Sequence, residues 1–191
     1  MKGLKLLLLS FCVAFAACSV QSPSVQVSDK GTKWSWDKGT IVVETPERPA
    51  GQTSVIGLTA PKIEAVRVGF VGLGMRGPSA VERFTYIPGV EIVALCDYEQ
   101  ERAEKCQRFL KKASMPKAAV YSGEKGYEEL CKRDDIDLVY IATDWLHHFP
   151  VAVCAMENGK HVAIEVPSAM SLEECWALID LALYDSGKLL L

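Results

Sequence analysis

Short apolar segments recur along the chain between residues 66 and 166. They read VRVGFVG from Val66, VEIVALCD from Val90, DLVYIAT from Asp137 and HVAIEV from His161. Each segment is apolar on nearly every residue and rich in β-branched side chains, which is typical of strands that are buried on both faces of a parallel sheet. The pattern therefore predicts four parallel strands.

The stretches between these segments carry apolar residues at helical spacing. They predict five helices, over Ser79–Tyr86, Glu99–Lys112, Tyr127–Arg133, Phe149–Asn158 and from Ser171 to about Ser186. Ser171 and Glu174 fit a capping box, and a further strand is expected at Lys188–Leu191. The alternation of strands and helices predicts an α/β fold with a doubly wound parallel sheet.

The first 18 residues predict an export signal. Lys2 and Lys5 precede an apolar run that is too short to span a bilayer, and small residues follow it. The segment Ala16-Ala17-Cys18 resembles a bacterial lipobox, whose cysteine is acylated after cleavage, whereas Ala14-Phe15-Ala16 fits an ordinary cleavage site. The sequence thus predicts a protein of the bacterial cell envelope, either anchored to the membrane through Cys18 or free in the periplasm.

Residues 19–63 are expected to form a linker and an N-terminal extension. Their first part is polar and serine-rich, as in a flexible spacer. Trp34, Trp36 and the run Ile41-Val42-Val43 indicate that ordered structure begins before the main domain, which we place at residues 64–191.

Composition and charge narrow the function classes. The chain has 191 residues, 49% of them hydrophobic, and a formal net charge of -3, which suits one globular domain with a tail. Since no basic stripe is present, no nucleic-acid partner is expected. Of the seven cysteines, Cys12 and Cys18 belong to the export segment. The other five contain no C-x-x-C, so we expect buried thiols and no metal site.

A glycine-rich turn joins the first predicted strand to the first predicted helix. Gly72, Gly74 and Gly77 form G-x-G-x-x-G, in which the glycines allow a tight turn, close approach of a pyrophosphate and close packing of the helix on the strand. Asp97 ends the next strand, where a carboxylate accepts both ribose hydroxyls of NAD and repels the 2′-phosphate of NADP. The motif predicts an NAD site; the alternative is a helix-start loop with a capping aspartate.

Two further polar segments follow the third and fourth predicted strands. One runs from Thr143 to His148 and the other is Glu165-Val166-Pro167. Ligands bind beyond the carboxyl ends of parallel strands, so both segments are expected to border the nicotinamide half of the cofactor. Their position alone also fits a helix N-terminal turn with solvent-exposed imidazoles and a surface glutamate before a proline turn.

The motifs GLGMRGP, ALCD, T-x-W-x-x-H-x-P and HVAIEVPSAM together resemble the Gfo/Idh/MocA oxidoreductases and, within them, glycoside hydrolase family 109. The resemblance runs from about Trp34 to the last residue. Where the broader family carries a lysine and an asparagine near the hydride-transfer site, this chain has Val166 and Trp145, as in the glycosidase branch. Asp144 stands where the family usually has proline.

The resemblance implies a Rossmann-type NAD-binding domain with a defined set of contacts. Met75 and Arg76 would bind at the phosphate loop and Asp97 at the adenosine ribose. The residues implied around the nicotinamide ribose and ring are Trp145, Leu146, His147, His148, Glu165 and Val166.

The resemblance also implies the reaction. Terminal α-linked N-acetylgalactosamine of glycans would be hydrolysed by transient NAD-dependent oxidation, elimination, water addition and re-reduction. The acid and base groups would lie in a second α/β domain, before which we expect this sequence to be truncated, so no catalytic residue is assigned. The alternatives are an exported sugar oxidoreductase that releases a ketosugar and a non-catalytic nucleotide-binding fragment. The sequence leaves room for an oligomer.

Overall fold

The computed structural model describes residues 24–27, 31–45, 47, 50, 59 and 61–184. The proposed acylation site Cys18 and the strand predicted at Lys188–Leu191 lie outside the described residues. The chain divides into two compact units, one ending at Glu44 and the other beginning at Thr45. Within the described ranges, no helix has both the length and the apolar character needed to cross a bilayer.

The first unit contains a small antiparallel sheet. Its strands are β1 (Gln26–Val27), β2 (Lys33–Asp37) and β3 (Thr40–Val43), in that spatial order. Lys38 and Gly39 connect β2 to β3 with φ values of 48° and 84°, the left-handed conformations that a tight hairpin turn requires. The order predicted around Trp34 and Trp36 is confirmed, since both lie on β2 with their rings edge to face.

The second unit is a parallel sheet with helices on both faces. Its strands are β4 (Val66–Val71), β5 (Val90–Asp97), β6 (Ala119–Ser122), β7 (Leu138–Ile141) and β8 (His161–Ile164). Its helices are α1 (Gly77–Phe84), α2 (Gln100–Lys112), α3 (Gly126–Cys131), α4 (Trp145–Glu157) and α5 (Leu172–Tyr184). The strands pair in parallel in the order β6-β5-β4-β7-β8, which confirms the doubly wound fold.

Two apolar cores cover the two faces of this sheet. Phe70 of β4 and Leu95 of β5 face α1 and α2, whereas Val71 of β4 and Ile141 of β7 face α3, α4 and α5. Successive residues of a strand point to opposite sides, so neighbouring residues such as Phe70 and Val71 enter different cores. This burial explains why the strands appear in the sequence as nearly continuous apolar segments.

The position of β4 in the sheet creates the site. The chain leaves β4 toward β5 on one side, and β7 later pairs on the other side of β4. Strand order therefore reverses at β4, and such a switch point opens a crevice beyond the carboxyl ends of the strands. The segments after β4, β5, β7 and β8 meet at this edge.

Several sequence predictions of strands and helix ends need correction. The edge strand β6 is not among the predicted strands. Helix α4 begins at Trp145 rather than Phe149, because Asp144 caps it by accepting from the Leu146 N–H. The capping box at Ser171 is confirmed on the serine side, but Glu174 accepts from the main-chain N–H of Met170 rather than from that of Ser171.

Candidate functional site

Two of the three loop glycines are required by the fold itself. Gly72 has φ of +91°, and a Cβ atom there would lie 2.5 Å from main-chain atoms of Ala142 and Thr143. A Cβ atom on Gly77 would overlap the carbonyl oxygen of Gly72. Any side chain at either position would push the loop away from β7 or α1 away from the loop. The predicted reasons for these two glycines are confirmed.

The third glycine, Gly74, faces open space. The nearest atom to a Cβ built there is Nη1 of Arg102, at 3.8 Å, and the φ of Gly74 lies outside the left-handed region. Neither folding nor backbone conformation therefore requires glycine at this position. An uncovered backbone at the second glycine is the feature that a pyrophosphate needs for close approach.

The N-terminus of α1 lies directly behind the loop. The first N–H groups of a helix lack partners within the helix, and its dipole favours a negative charge there. Pro78 occupies the first turn, where its missing N–H removes no helical hydrogen bond. Arg76 ends the loop at the capping position and lines the crevice beyond the carboxyl ends of the strands. The arrangement is electropositive and fits a pyrophosphate.

Asp97 is built into the loop. Its side chain is only 6% exposed, and its Oδ2 accepts from the N–H of Leu73 at 2.6 Å. Its Oδ1 accepts from the N–H of Glu99 at 3.0 Å and lies 3.5 Å from Nη1 of Arg102. The carboxylate therefore binds two main-chain segments: the turn before α2, through the Glu99 N–H, and the glycine loop, through the Leu73 N–H. Two oxygens offer about four lone-pair positions, so capacity remains for the predicted ribose contact.

These elements surround a pocket of about 570 Å³ at the carboxyl edge of the sheet. Its size lies within the range of small-molecule and cofactor sites. Nine of the twelve predicted cofactor residues line it, and the exceptions are Gly77, Leu146 and His147. Gly77 packs behind the loop, whereas Leu146 and His147 are exposed on the first turn of α4.

His147 and His148 have opposite environments. His147 is exposed, and its Nδ1 lies 2.6 Å from Oδ2 of Asp144. Burial would raise the pKa of Asp144, but the hydrogen bond and charge of His147, together with main-chain donors, lower it. The interpretation of these residues as solvent-exposed imidazoles is therefore right for His147. It is wrong for His148, because α4 and the segment after β8 pack around that imidazole.

His148 joins the two segments that border the pocket. The side chain is 1% exposed, with Nδ1 at 2.7 Å from the Pro167 carbonyl oxygen and Nε2 at 3.1 Å from the Thr143 carbonyl oxygen. Both partners are acceptors, so both ring nitrogens are directed at protein atoms rather than at a ligand. His148 therefore supports the pocket wall by joining its two segments.

Glu165 is the carboxylate on the far side of the pocket. Its main-chain N–H donates to the Ile141 carbonyl oxygen at 3.0 Å, and its Oε1 accepts from the Tyr140 hydroxyl at 2.6 Å. Val166, which is 84% exposed, and Trp145, which is 60% exposed, form an apolar mouth beside it. The pocket thus has a charged end near Asp97 and an apolar mouth beyond Glu165.

Four lining residues are not among the predicted cofactor contacts: Ala142, Thr143 and Asp144, which lie at or next to the predicted segment after β7, and Arg102, which the sequence prediction missed altogether. Arg102 lies on α2 five residues after Asp97 and contacts both Asp97 and Glu99. The signal available in the sequence was its place in the first turn of that helix, where a side chain turns back toward the preceding strand end.

None of the five cysteines that follow the export segment lines the pocket. Cys96, Cys106 and Cys131 are buried and Cys154 is half-buried, but Cys175 is exposed. The expectation of buried thiols is therefore wrong for Cys175, which α5 turns toward solvent. Burial raises the pKa of Cys96 to about 12, so this thiol stays protonated at neutral pH. No cluster of three or more metal-binding side chains occurs among the residues that the structure describes.

Comparison with known proteins agrees with this geometry. The chain is 74% identical over 183 residues to glycosyl hydrolase family 109 protein 4 of Phocaeicola vulgatus, a match that covers 95% of this chain and 36% of that protein. The chain therefore spans about a third of the length of this curated relative.

Solved structures share the fold. The myo-inositol dehydrogenase of Lactobacillus casei, in complex with NAD(H) and myo-inositol, matches with a TM-score of 0.55 and 28% identity over 63% of this chain and 34% of that chain. The UDP-N-acetylglucosamine 3-dehydrogenase of Acidithiobacillus ferrooxidans matches with a TM-score of 0.52 and 26% identity over 65% of this chain and 36% of that chain.

The family comparison covers most of the second unit. Residues 66–190, from β4 onward, match the oxidoreductase family that is described by its NAD-binding Rossmann fold. The loop, the buried aspartate and the switch-point pocket lie within this range. The chain therefore belongs to the Gfo/Idh/MocA oxidoreductase family and carries its NAD-binding Rossmann domain.

Proposed function

We propose that this domain serves a glycosidase that removes terminal α-linked N-acetylgalactosamine through transient oxidation of the sugar. The observation that carries the proposal is the apolar mouth of the pocket. Val166 and Trp145 line it where the broader family has a lysine and an asparagine near the hydride-transfer site. The relative at 74% identity is named as a glycosyl hydrolase, and a 3-dehydrogenase of an N-acetylated sugar nucleotide shares the fold.

The orientation of the dinucleotide follows from the strand order. The glycine loop after β4 takes the pyrophosphate, so one half extends toward β5 and the other toward β7 and β8. Asp97 then receives the adenosine ribose, and Glu165 stands at the nicotinamide half. When bound, NAD supplies a reversible hydride acceptor for C3 of the sugar.

The chain's own residues hold the cofactor and exclude water. Arg76 and the N-terminus of α1 neutralise the phosphates. Trp145 and Val166 place apolar surface beside the nicotinamide end, which limits the entry of water to the reacting carbon. Proton transfer to the sugar is a role for groups in the remaining part of the longer relatives.

A paired assay tests this proposal. An aryl α-N-acetylgalactosaminide is incubated with the 191-residue chain, or with the same chain extended through the second domain of its Phocaeicola vulgatus relative. We expect aryl release and free N-acetylgalactosamine only from the extended protein, because loss of substrate positioning forfeits about 7–11 kcal/mol of barrier lowering. Turnover by the 191-residue chain alone would contradict the assignment of catalysis to the second domain.

The product distinguishes the second candidate, a sugar oxidoreductase, which is supported by the two dehydrogenases that share the fold. A ketosugar that accumulates together with stoichiometric NADH indicates this function. A hydrolysed sugar without net NADH indicates the glycosidase.

We also propose that the protein resides in the bacterial cell envelope, anchored through an acylated Cys18. The export segment and its lipobox-like sequence support this location.

A further inference from the structure

We infer that Tyr140 is a positioning residue for the nicotinamide half of the site. Its hydroxyl fixes one oxygen of Glu165 and leaves the other oxygen to accept from the hydroxyls of the second ribose. This inference rests on the proposed placement of NAD in the pocket, but it concerns a residue that neither lines the pocket nor belongs to a recognised motif.

The aromatic rings of Phe70 and Phe84 pack against the ring of Tyr140. Tyr140 lies on β7 directly opposite Phe70 of β4, and the two ring centroids are 5.2 Å apart. Phe84 of α1 meets both rings edge to face, at 5.3 Å from Tyr140 and 5.2 Å from Phe70. Aromatic pairs in this distance range are favourable, and Phe70 is fully buried. The ring therefore has one defined position, and so has its hydroxyl.

The hydroxyl donates to Glu165. A carboxylate only accepts, so the 2.6 Å contact is an O–H···O⁻ bond of the short, charge-assisted kind. Burial, followed by the hydrogen bond and charge of Glu165, raises the pKa of Tyr140 to about 12 and outweighs the opposite effect of Arg83. Tyr140 therefore keeps its proton across the physiological pH range.

Glu165 is thereby fixed at two points before any ligand arrives. Its main chain pairs with Ile141, and its Oε1 is held by Tyr140. A glutamate side chain that is already ordered loses less rotamer freedom when it binds. Since Glu165 also lines the pocket beyond β8, the remaining oxygen is the preorganised acceptor at the nicotinamide half.

A double-mutant cycle with two ligands tests the inference. Tyr140→Phe, Glu165→Gln and the double variant are prepared in the 191-residue chain and titrated with NAD and with ADP, which lacks the nicotinamide riboside. We expect each single change to weaken NAD binding about tenfold and to leave ADP affinity within about twofold. The double variant should bind NAD no more weakly than Glu165→Gln does, because both changes remove one shared interaction.

Tyr140→Phe preserves the three-ring cluster, and Tyr86→Phe, on a residue that is 67% exposed, is the matched control. An equal loss of NAD and ADP affinity in Tyr140→Phe would mean a structural role and would overturn the inference. Additive losses in the double variant, or unchanged NAD affinity in Tyr140→Phe, would also overturn it and leave the NAD site itself intact. Failure of the wild-type chain to bind NAD would instead remove the proposed function on which the inference rests.

Discussion

The Gly74→Ala substitution tests cofactor binding separately from folding. Of the three loop glycines, only this one has room for a Cβ atom, with its nearest neighbour at 3.8 Å. The change therefore adds a methyl group to the surface on which the pyrophosphate is expected to lie and disturbs no packed atom.

The expected effect on stability is small and favourable or neutral. Replacing a glycine by alanine at a compatible backbone conformation stabilises a protein by about 0.4–1 kcal/mol, because the unfolded chain loses freedom. At Gly77 the same change drives the methyl group into the Gly72 carbonyl oxygen, so we expect the free energy of unfolding to fall by about 3 kcal/mol or more. The two substitutions lie three residues apart in the same motif, and we expect them to change the stability in opposite directions.

Although Gly74→Ala should leave the fold intact, it should weaken cofactor binding. A methyl group on Gly74 keeps the phosphates from the loop N–H groups, and the loss of two charge-assisted hydrogen bonds at about 1.5–3 kcal/mol each lowers NAD affinity at least about a hundredfold. Thermal unfolding and calorimetric titration on the same samples measure both quantities. Unchanged NAD affinity in a folded Gly74→Ala chain would refute the placement of the pyrophosphate on this loop.

Three further predictions concern the charges around the site, the base of the sheet and the export segment. Arg102→Gln should widen the preference for NAD over NADP by about tenfold, because it removes the cation beside Asp97 that offers a 2′-phosphate a partner; titration with both cofactors checks it. Asp137→Asn should lower the free energy of unfolding at neutral pH by about 1–3 kcal/mol, since Asp137 accepts from the main chain and the guanidinium of Arg67. The hydrogen bond from Arg67 lowers the pKa of Asp137, so this stabilisation is present above the unfolded carboxylate pKa of about 4 and disappears as the pH falls through the folded value, which urea titrations over a pH series will show. Cys18→Ala should release from the membrane fraction a protein that is otherwise retained there, and equal release of both forms would favour the ordinary cleavage site.

Strands could be predicted most directly where both faces of the sheet are covered. The segments that became β4, β5 and β7 are apolar on nearly every residue because a core covers each face. β6 and β8 both lie at edges of the sheet as described. β8 was predicted because its segment HVAIEV is longer, whereas AVYS of β6 is short and ends in a polar residue. The residue before β6, Ala118, is fixed by Gln107 of α2, whose side-chain amide forms hydrogen bonds with both the N–H and the carbonyl oxygen of Ala118. No local pattern encodes that tertiary contact.

The site was predictable where main-chain geometry dictates residue type. Gly72 and Gly77 leave a signature because no other residue fits, and Asp97 follows from the place where its strand ends. The two rim histidines could not be told apart, since the burial of His148 depends on a carbonyl of a segment 19 residues away. The Tyr140 contact with Glu165 spans 25 residues and depends on β7 and β8 being neighbours in the sheet.

The double engagement of Asp97 has a consequence for how cofactor choice can change in this domain. The carboxylate that is expected to recognise the adenosine ribose also fastens the Leu73 N–H, and with it the loop that carries the phosphates. Replacing Asp97 to admit NADP would release that N–H and loosen the grip on either dinucleotide. A laboratory or natural lineage that converts this domain to NADP should therefore keep Asp97 and Arg102 and alter Tyr98 or Glu99 instead, so that the selectivity changes in the turn before α2 while the loop stays fixed.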